Sequence, residues 1–326
     1  MATPALGHKS FIGIGKEVAW GTTVARTKFL ELVKGGDGID LEEAVMLSNS
    51  MNSIGYDEAK HYAQGAITVG GPMIFEMPEE GAELILLNAF GAVATDQPDA
   101  SGDPNTYRHI FTIADALTPG LSIEIHKDAP GASPSFLFAG CKVNQLQFQI
   151  GLDDRLRCTA TLVAKDVTKV SKTSETLPTL RPFHFVDGAL KWNAATVEVS
   201  EAQITLNNNL DVERRFIGSR NISEPIRSGS KLMATATFTA EFESITHFDD
   251  WRAGTKRVLS LQFTGDTIEN TRKWDLLLEM NLGRITKAMP LISDEGRVTY
   301  EITAQGFRDA TDKELKATLI NKVTSV

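Results

Sequence analysis

Apolar residues recur at every second position over long stretches of this chain, the period of a strand with one face on a core and the other in water. Between Leu232 and Phe242, one face carries Leu232, Ala234, Ala236, Phe238, Ala240 and Phe242, and the other Met233, Thr235, Thr237, Thr239 and Glu241. Ile67, Val69, Met73, Phe75 and Met77 share a face in the same way. Leu146, Phe148 and Ile150 oppose Val143, Gln145, Gln147 and Gln149, while Val298, Tyr300, Ile302 and Ala304 oppose Thr299, Glu301 and Thr303. Two segments break the alternation and predict short helices. Pro78 to Phe90 has Pro in a first turn, Glu79 and Glu80 at the N-terminal dipole end and Gly91 to stop it. In the second, Ser244 can cap, Ile245, Phe248 and Trp251 recur at helical spacing, and Gly254 can terminate.

These strand–helix units read as copies. Phe75 to Gly91 and Phe238 to Gly254 have the same spacing at an offset of 163 residues, with Glu80, Ala82 and Ile85 matching Glu243, Ile245 and Phe248. A polar stretch precedes each long strand (Glu43 to Gln64; Asp211 to Ser230), and two hairpins follow each helix (Tyr107 to Lys165; Lys256 to Gln305). A repeat of this length implies duplication of a whole domain. The expectation is a mainly β protein of two tandem domains, 1–170 and 183–326, each with one short flanking α-helix. The Lys/Ser/Thr/Pro-rich stretch Val167 to Pro182 supplies the join, with 171–182 as the linker proper. Ala94 to Thr106 reads as an exposed loop, and Arg308 to Val326 as a short helix or an extended arm.

The chain has 326 residues and a formal net charge of -9. It carries no basic stripe of the kind that displaces counterions from phosphate. No apolar run approaches a membrane span, and Met1 to Ser10 has no apolar core, so neither a span nor a signal peptide is expected and synthesis in a cytoplasm is. Cys141 and Cys158 lie in strand-like segments joined by Gly151–Asp154. A hairpin pairing Leu146 with Cys158 and Phe148 with Leu156 sets Cys141 opposite Val163, too far from Cys158 for a disulfide, so two buried reduced thiols are expected.

Catalytic and binding signatures are missing. Gly13-Ile14-Gly15-Lys16 brushes against a phosphate loop, but Ser10 and Glu17 stand where Gly and Ser/Thr are needed. The six histidines share no metal-ligand spacing, and no G-x-S-x-G elbow occurs. Asp37, Asp40, Glu42 and Glu43 lack calcium-loop spacing and read as a turn. No catalytic, cofactor-binding or metal-binding residue is assigned, and no cofactor is expected. Trp20, Trp192, Trp251 and Trp274, spread over both halves, suit core or interface anchoring.

Three short motifs add a resemblance. Gly13-Ile14-Gly15-Lys16-Glu17 followed by Trp20-Gly21-Thr22-Thr23-Val24-Ala25 and Lys28-Phe29-Leu30, then Ala139-Gly140-Cys141-Lys142-Val143-Asn144, then Ile204-Thr205-Leu206-Asn207-Asn208-Asn209-Leu210, resemble the major tail tube proteins of long-tailed, siphophage-type bacteriophages. The resemblance implies β-sandwich or open-barrel domains that form rings, rings that stack into a hollow tail, and phage DNA that passes through without sequence-specific binding. It implies a place in the virion tail, with tape-measure, tail-terminator and baseplate proteins as partners. A single-domain subunit would form a hexameric ring. A duplicated one is expected to form a trimer with pseudo-sixfold symmetry.

On that reading the polar rows become candidates for the bore: Gln145, Gln147 and Gln149; Thr235, Thr237, Thr239 and Glu241; Thr299, Glu301 and Thr303. A wall of amides, hydroxyls and carboxylates gives phosphate nothing to hold. The other reading of these rows is ordinary solvated strand faces. The long polar stretches, with the N-terminal arm and the tail after Arg308, are candidates for contacts between rings, through Ser48, Asn52, Tyr56 and His61, and through Arg214, Arg220, Asn221 and Arg227. Competing assignments are another ring-forming virion component (head-completion or baseplate), a two-domain β-sandwich binding module, and a β-rich enzyme.

Overall fold

The structure, a computed structural model, describes residues 7–47, 62–127, 134–227, 232–290, 292 and 295–326. It is mainly β, as the alternation requires, and every strand pairing is antiparallel. In chain order the strands of the first half are β1 (Phe11–Lys16), β2 (Lys28–Glu31), β3 (Asp40–Leu47), β4 (Tyr62–Glu76), β5 (Gly91–Asp96), β6 (Tyr107–Ile113), β7 (Leu121–His126), β8 (Pro134–Gly151), β9 (Arg157–Ala164) and β10 (Asp166–Ser171). Those of the second half are β11 (Gly188–Trp192), β12 (Ala195–Val197), β13 (Val199–Asn207), β14 (Met233–Glu241), β15 (Lys256–Glu269), β16 (Arg272–Lys287), β17 (Thr299–Gly306) and β18 (Lys316–Asn321). Helices α1 (Glu83–Phe90) and α2 (Thr246–Ala253) follow β4 and β14, and each ends on a left-handed glycine, Gly91 at φ 98° and Gly254 at φ 66°.

The pairing order is written twice. β3–β4–β9–β8 lie side by side in the first half, and β13–β14–β17–β16 in the second. On the flank run β2–β1–β7–β8–β10, and again β12–β11–β15–β16–β18. The hairpin β5–β6 has no counterpart and adds to β18. A single seam, β8 against β13, joins the two four-stranded series into one eight-stranded face. The core is shared: one cluster of buried side chains includes Phe75, Phe90, Phe111 and Phe148 from the first half with Phe238, Phe263 and Trp274 from the second.

β8 and β16 each serve two groupings. β8 pairs with β7 and β10 over its first part and with β9 and β13 over its second. It turns at Gly140, φ 66°, where a Cβ would stand 2.8 Å from the Trp20 indole nitrogen. Glu17 holds the turn. Its carboxylate is buried and accepts from the Gly21 amide at 2.7 Å, the Gly140 amide at 2.8 Å and the Ser122 hydroxyl at 2.9 Å, while Trp20 Nε1 donates to the Gly140 carbonyl at 3.0 Å. The other two motifs lock the seam. The Asn208 amide donates to the Asn144 carbonyl at 2.8 Å, the Leu210 amide to Asn144 Oδ1 at 2.8 Å, and buried Asn208 Nδ2 to the Val143 carbonyl at 2.9 Å.

Several local expectations need correction. The first helix starts at Glu83, not Pro78: Pro78 makes a bridge to Pro182, and Gly81 at φ 116° breaks the path between them. Glu79 is buried against Gly265 and Asp266, and burial pushes its carboxyl up. Ser244 Oγ accepts from the Thr246 amide at 3.2 Å but sits one residue before the N-cap, Ile245. The β8–β9 hairpin is shifted by two: Phe148 faces Cys158 and Leu146 faces Ala160, because Leu156 leaves the hairpin to bond Phe183 and Met77. Cys141 faces Leu121, not Val163.

Ala94–Asp96 belong to β5, and the loop after them is largely exposed, as expected, but docked at its far side. Arg272 Nε reaches Asp103 at 3.1 Å, and Asn105 donates to Glu269 at 2.8 Å. Val167–Ser171 belongs to β10, and the stretch after it is pinned by Thr173 donating to Glu124 at 2.6 Å. In the first half β6 goes to β5 and β18, so no hairpin joins it to β7. Of the two expectations for the tail the helix is wrong: the segment is extended, and its strand β18 inserts between β16 and β6.

Both cysteines are free and buried, and burial pushes both thiols up. A thiol-specific reagent will therefore leave the native chain unlabelled at pH 8 over an hour and label both positions in denaturant. Labelling of the native chain at a rate near that of the unfolded one would contradict this burial.

Candidate functional site: a polar sheet face and an open strand edge

The strand order collects the three polar rows onto one face. Register runs straight across it. Thr159, Gln147, Thr205, Thr235 and Gln305 form one rung, with Arg284 at its far neighbour level through Gln305. Arg157, Gln149, Gln203, Thr237, Thr303 and Lys287 form a second, and Glu201, Thr239 and Glu301 a third. Thr161, Gln145, Asn207 and Met233 form the rung on the other side. The residues between them, among them Leu146, Phe148, Ile204, Ala236, Phe238 and Ile302, point the other way and are buried. β9 and β13 supply polar positions that the sequence reading did not single out, though the alternation of Cys158, Ala160 and Leu162, and of Ala202, Ile204 and Leu206, marks them.

This face is not free of cations, but apart from Arg284 each has an acid near it. Lys287 Nζ lies 2.7 Å from Glu301, Arg297 pairs with Glu241, and Arg157 stands 3.9 Å from Asp154. Gln149 donates to Glu201 at 3.0 Å. Glu201, Glu241 and Glu301 sit toward one end of the strands, and between the flanking Arg157, Arg284 and Lys287 the middle rungs are amides and hydroxyls.

β3 closes one side of this face and has a neighbour only at β4 among the described residues. All eight of its residues are exposed. Residues preceding it continue the edge: the Gly38 amide donates to Pro72 at 3.0 Å, and the Ile74 amide to the Gly36 carbonyl at 2.9 Å. Gly71, φ 142°, allows the close approach, since a Cβ there would meet the Gly38 carbonyl at 2.0 Å. Val45, Met46, Leu47 and Tyr62 expose apolar surface on the ribbon of β3 and β4. An exposed, unprotected edge of this kind is a template for another strand.

β4 and β14 run the same way in the sheet, so their first residues share one end and α1 and α2 the other. Ser48, Asn52, Tyr56 and His61 lie outside the described residues. Arg220, Arg214 and Arg227 are engaged within the chain. Arg220 bonds the Gly65 carbonyl at 3.0 Å, Gln64 at 3.0 Å and Glu43; Arg214 bonds the Glu224 carbonyl at 2.8 Å; Arg227 bonds Asn208 at 3.0 Å and the Ala114 carbonyl, with burial pushing its guanidinium down. The Asn221 carbonyl accepts from Ser219 at 3.1 Å. What this connection offers outward is Phe216, Ile217 and Ile226, all exposed. At the opposite end a cavity of about 390 Å³ opens between α2, the turn from β11 to β12 and the ends of β14 and β17, walled by Trp192, His247 and Tyr300 and edged by Glu198, Glu241 and Glu243.

Among the described residues, no group of three His, Cys, Asp or Glu side chains could hold a metal ion, and no helix is long and apolar enough to cross a membrane. His247 Nδ1 bonds the Tyr300 hydroxyl at 2.9 Å. Trp192 Nε1 donates to Asp250 at 2.9 Å, which makes it a core anchor.

No curated protein matches the chain. A family model described as phage tail tube protein matches residues 7–306, which takes in the motif-bearing segments, the polar face and the open edge; the chain belongs to the phage tail tube protein family, a family of structural proteins of the virion.

Proposed function

We propose that this chain is a duplicated tube subunit: three copies continue the eight-stranded face from chain to chain into a closed ring, rings stack into the hollow tail, and phage DNA passes down the polar bore. The two units are 1–170 and 183–326, joined by 171–182. The observation that carries this reading is the seam between β8 and β13, which joins two like four-stranded series edge to edge and leaves β3 open to repeat the joint with another copy.

Magnitudes favour three copies over six. Strands about 4.8 Å apart and tilted by about 40° give a closed barrel of ~24 strands a backbone diameter of roughly 48 Å. Side chains take about 5 Å from each wall and leave ~38 Å, which clears a duplex. Six copies would roughly double the diameter and leave the duplex far from any wall.

Stacking follows from the two ends of the strands. Phe216, Ile217 and Ile226 at one end, and Leu152, Val186 and Ile245 toward the other, are exposed apolar groups that a head-to-tail contact covers. A heterologous contact of that kind does not close and grows into a filament. Tape-measure, terminator and baseplate proteins would then meet the two ends of the tube, and the virion tail is where the protein resides.

The test is electron microscopy of concentrated purified protein, with the mass of any ring measured. Hollow tubes or rings of three chains with a sixfold-looking end view are expected. Rings of six chains would refute the stoichiometry, and a protein that stays monomeric even on tail tips supplied as initiator would refute the tube reading.

A further inference from the structure

The internal seam is a template for the seam between chains, and it fixes a register. β4 and β14 correspond at the 163-residue offset, so Gly70 corresponds to Met233, and their partners Asp40 and Asn207 correspond. Pro72 and Thr235 correspond likewise, hence their partners Thr161 and Gln305, and in turn Gln145 and Arg284. Inside the chain Asn207 faces Gln145. The same step carried one residue along takes the internal pair Leu206 and Leu146 to Ile39 and Ile285.

The chemistry of the two free ends differs from the internal seam in a way that fits this register. The internal seam is neutral over most of its length, with Asn207 on Gln145, Thr205 on Gln147 and Gln203 on Gln149, and ends on Glu201 opposite Gly151. The open edge at β3 is acidic, with Asp37, Asp40, Glu42 and Glu43, and the far end of β16 is basic, with Arg284 and Lys287 beside Lys256. Asp37, Glu43 and Lys287 already hold partners within the chain: Lys127 at 2.7 Å, Arg220, and Glu301 at 2.7 Å. Asp40, Glu42 and Arg284 are exposed and form no ion pair among the described residues.

Resting on the ring reading above, we infer that the acidic edge of one chain pairs with the basic end of β16 in a second copy, Ile39 opposite Ile285 and Asp40 level with Arg284. Backbone directions agree. Gly36 and Gly38 bond β4, so the backbone groups of Asp37 and Ile39 point outward, as those of the corresponding Ile204 and Leu206 point toward β8. Lys256 occupies the outer side of Arg284, so strand pairing starts at Ile285 and Asp40 meets two cations. In the single chain the Asp40 carboxylate takes up the Leu41 amide at 2.7 Å, covering one donor of the edge until a cation competes for it. Like charges face one another if two acidic edges meet, so the joint is between unlike ends and closes a ring.

The experiment is a charge swap read by sedimentation and microscopy of polymer, with a cysteine pair as an independent readout. Asp40→Lys and Arg284→Glu should each lower polymer yield at least tenfold at low salt, and the double variant should restore it. Asp40→Cys with Arg284→Cys, oxidised after assembly, should give linked species that stop at three chains on a denaturing gel, because Cys141 and Cys158 are buried. Wild-type tubes with an unrescued double variant and no cross-link would overturn this register while leaving the ring reading intact. Failure of the wild type to form rings under any condition would remove both.

Discussion

Replacing Glu17 by Ala is expected to destabilise the chain by about 3–6 kcal/mol, with a Tm lower by something on the order of 10 °C. Three donors converge on this buried carboxylate, two of them backbone amides at Gly21 and Gly140. Ala leaves all three without this acceptor, the Gly140 amide and the Ser122 hydroxyl in buried positions and the Gly21 amide in a part-buried one, and each orphaned buried donor costs about 1–3 kcal/mol. The damage is not confined to one turn. Gly140 is where β8 passes from β7 and β10 to β9 and β13, so loosening it disturbs the strand that the two halves share. Glu17→Gln keeps one acceptor oxygen and replaces the other by a donor facing a donor, so it should fall between wild type and Ala. Equilibrium unfolding in urea ranks the three. Equal stability of wild type and Glu17→Ala would show that the carboxylate is a bystander at the bend.

The polar face was legible because it needs only period two. Gln145, Gln147 and Gln149, and Thr235, Thr237 and Thr239, are local alternations, and the structure brings them to one face through the seam. What the sequence could not show was set by partners far along the chain. The β8–β9 register depends on Leu156 bonding Phe183, and the start of α1 on a bridge from Pro78 to Pro182. β18 alternates too, with Ala317 and Leu319 buried, yet its neighbour β6 lies some 200 residues earlier, and nothing local says that a terminal segment will find it. The motifs carried more than a resemblance. Glu17, Gly140, Asn144 and Asn208 are the residues that bend β8 and lock it to β13, which gives a physical reason for those residue types at those places. The acidic cluster from Asp37 to Glu43, read as a turn, is instead the open edge of the sheet, a role invisible until its strand β3 is seen to have no second neighbour among the described residues.

If the polar face lines the bore, as proposed, cations placed on it should turn a channel that passes DNA into one that holds it. In the variant Gln145→Lys, Gln149→Lys and Thr235→Lys, the three changes sit on three successive rungs of a half-exposed face with no two of them directly opposite, so each should alter stability by less than about 1 kcal/mol. A ring of three chains would then present about nine new charges to the duplex. With six or more phosphates engaged, affinity for duplex DNA should fall by ~10³–10⁵ between about 50 and 200 mM salt, where the wild type shows little binding to lose. Location is what the measurement must resolve, because lysines anywhere on the protein attract DNA. Tubes polymerised in the presence of short duplexes and then treated with nuclease separate the cases: DNA held in the bore is protected, DNA held outside is digested. A companion variant with Thr95→Lys at the end of β5, Ser101→Lys on the β5–β6 connection and Asn270→Lys in the β15–β16 turn supplies the outside control. Protected DNA in the first variant and digested DNA in the second is the expected pair of results. Salt-sensitive binding that stays open to nuclease in the first variant would place Gln145, Gln149 and Thr235 on the outer wall, and the face with three polar rungs would then be a solvated surface and not the lining of the tube.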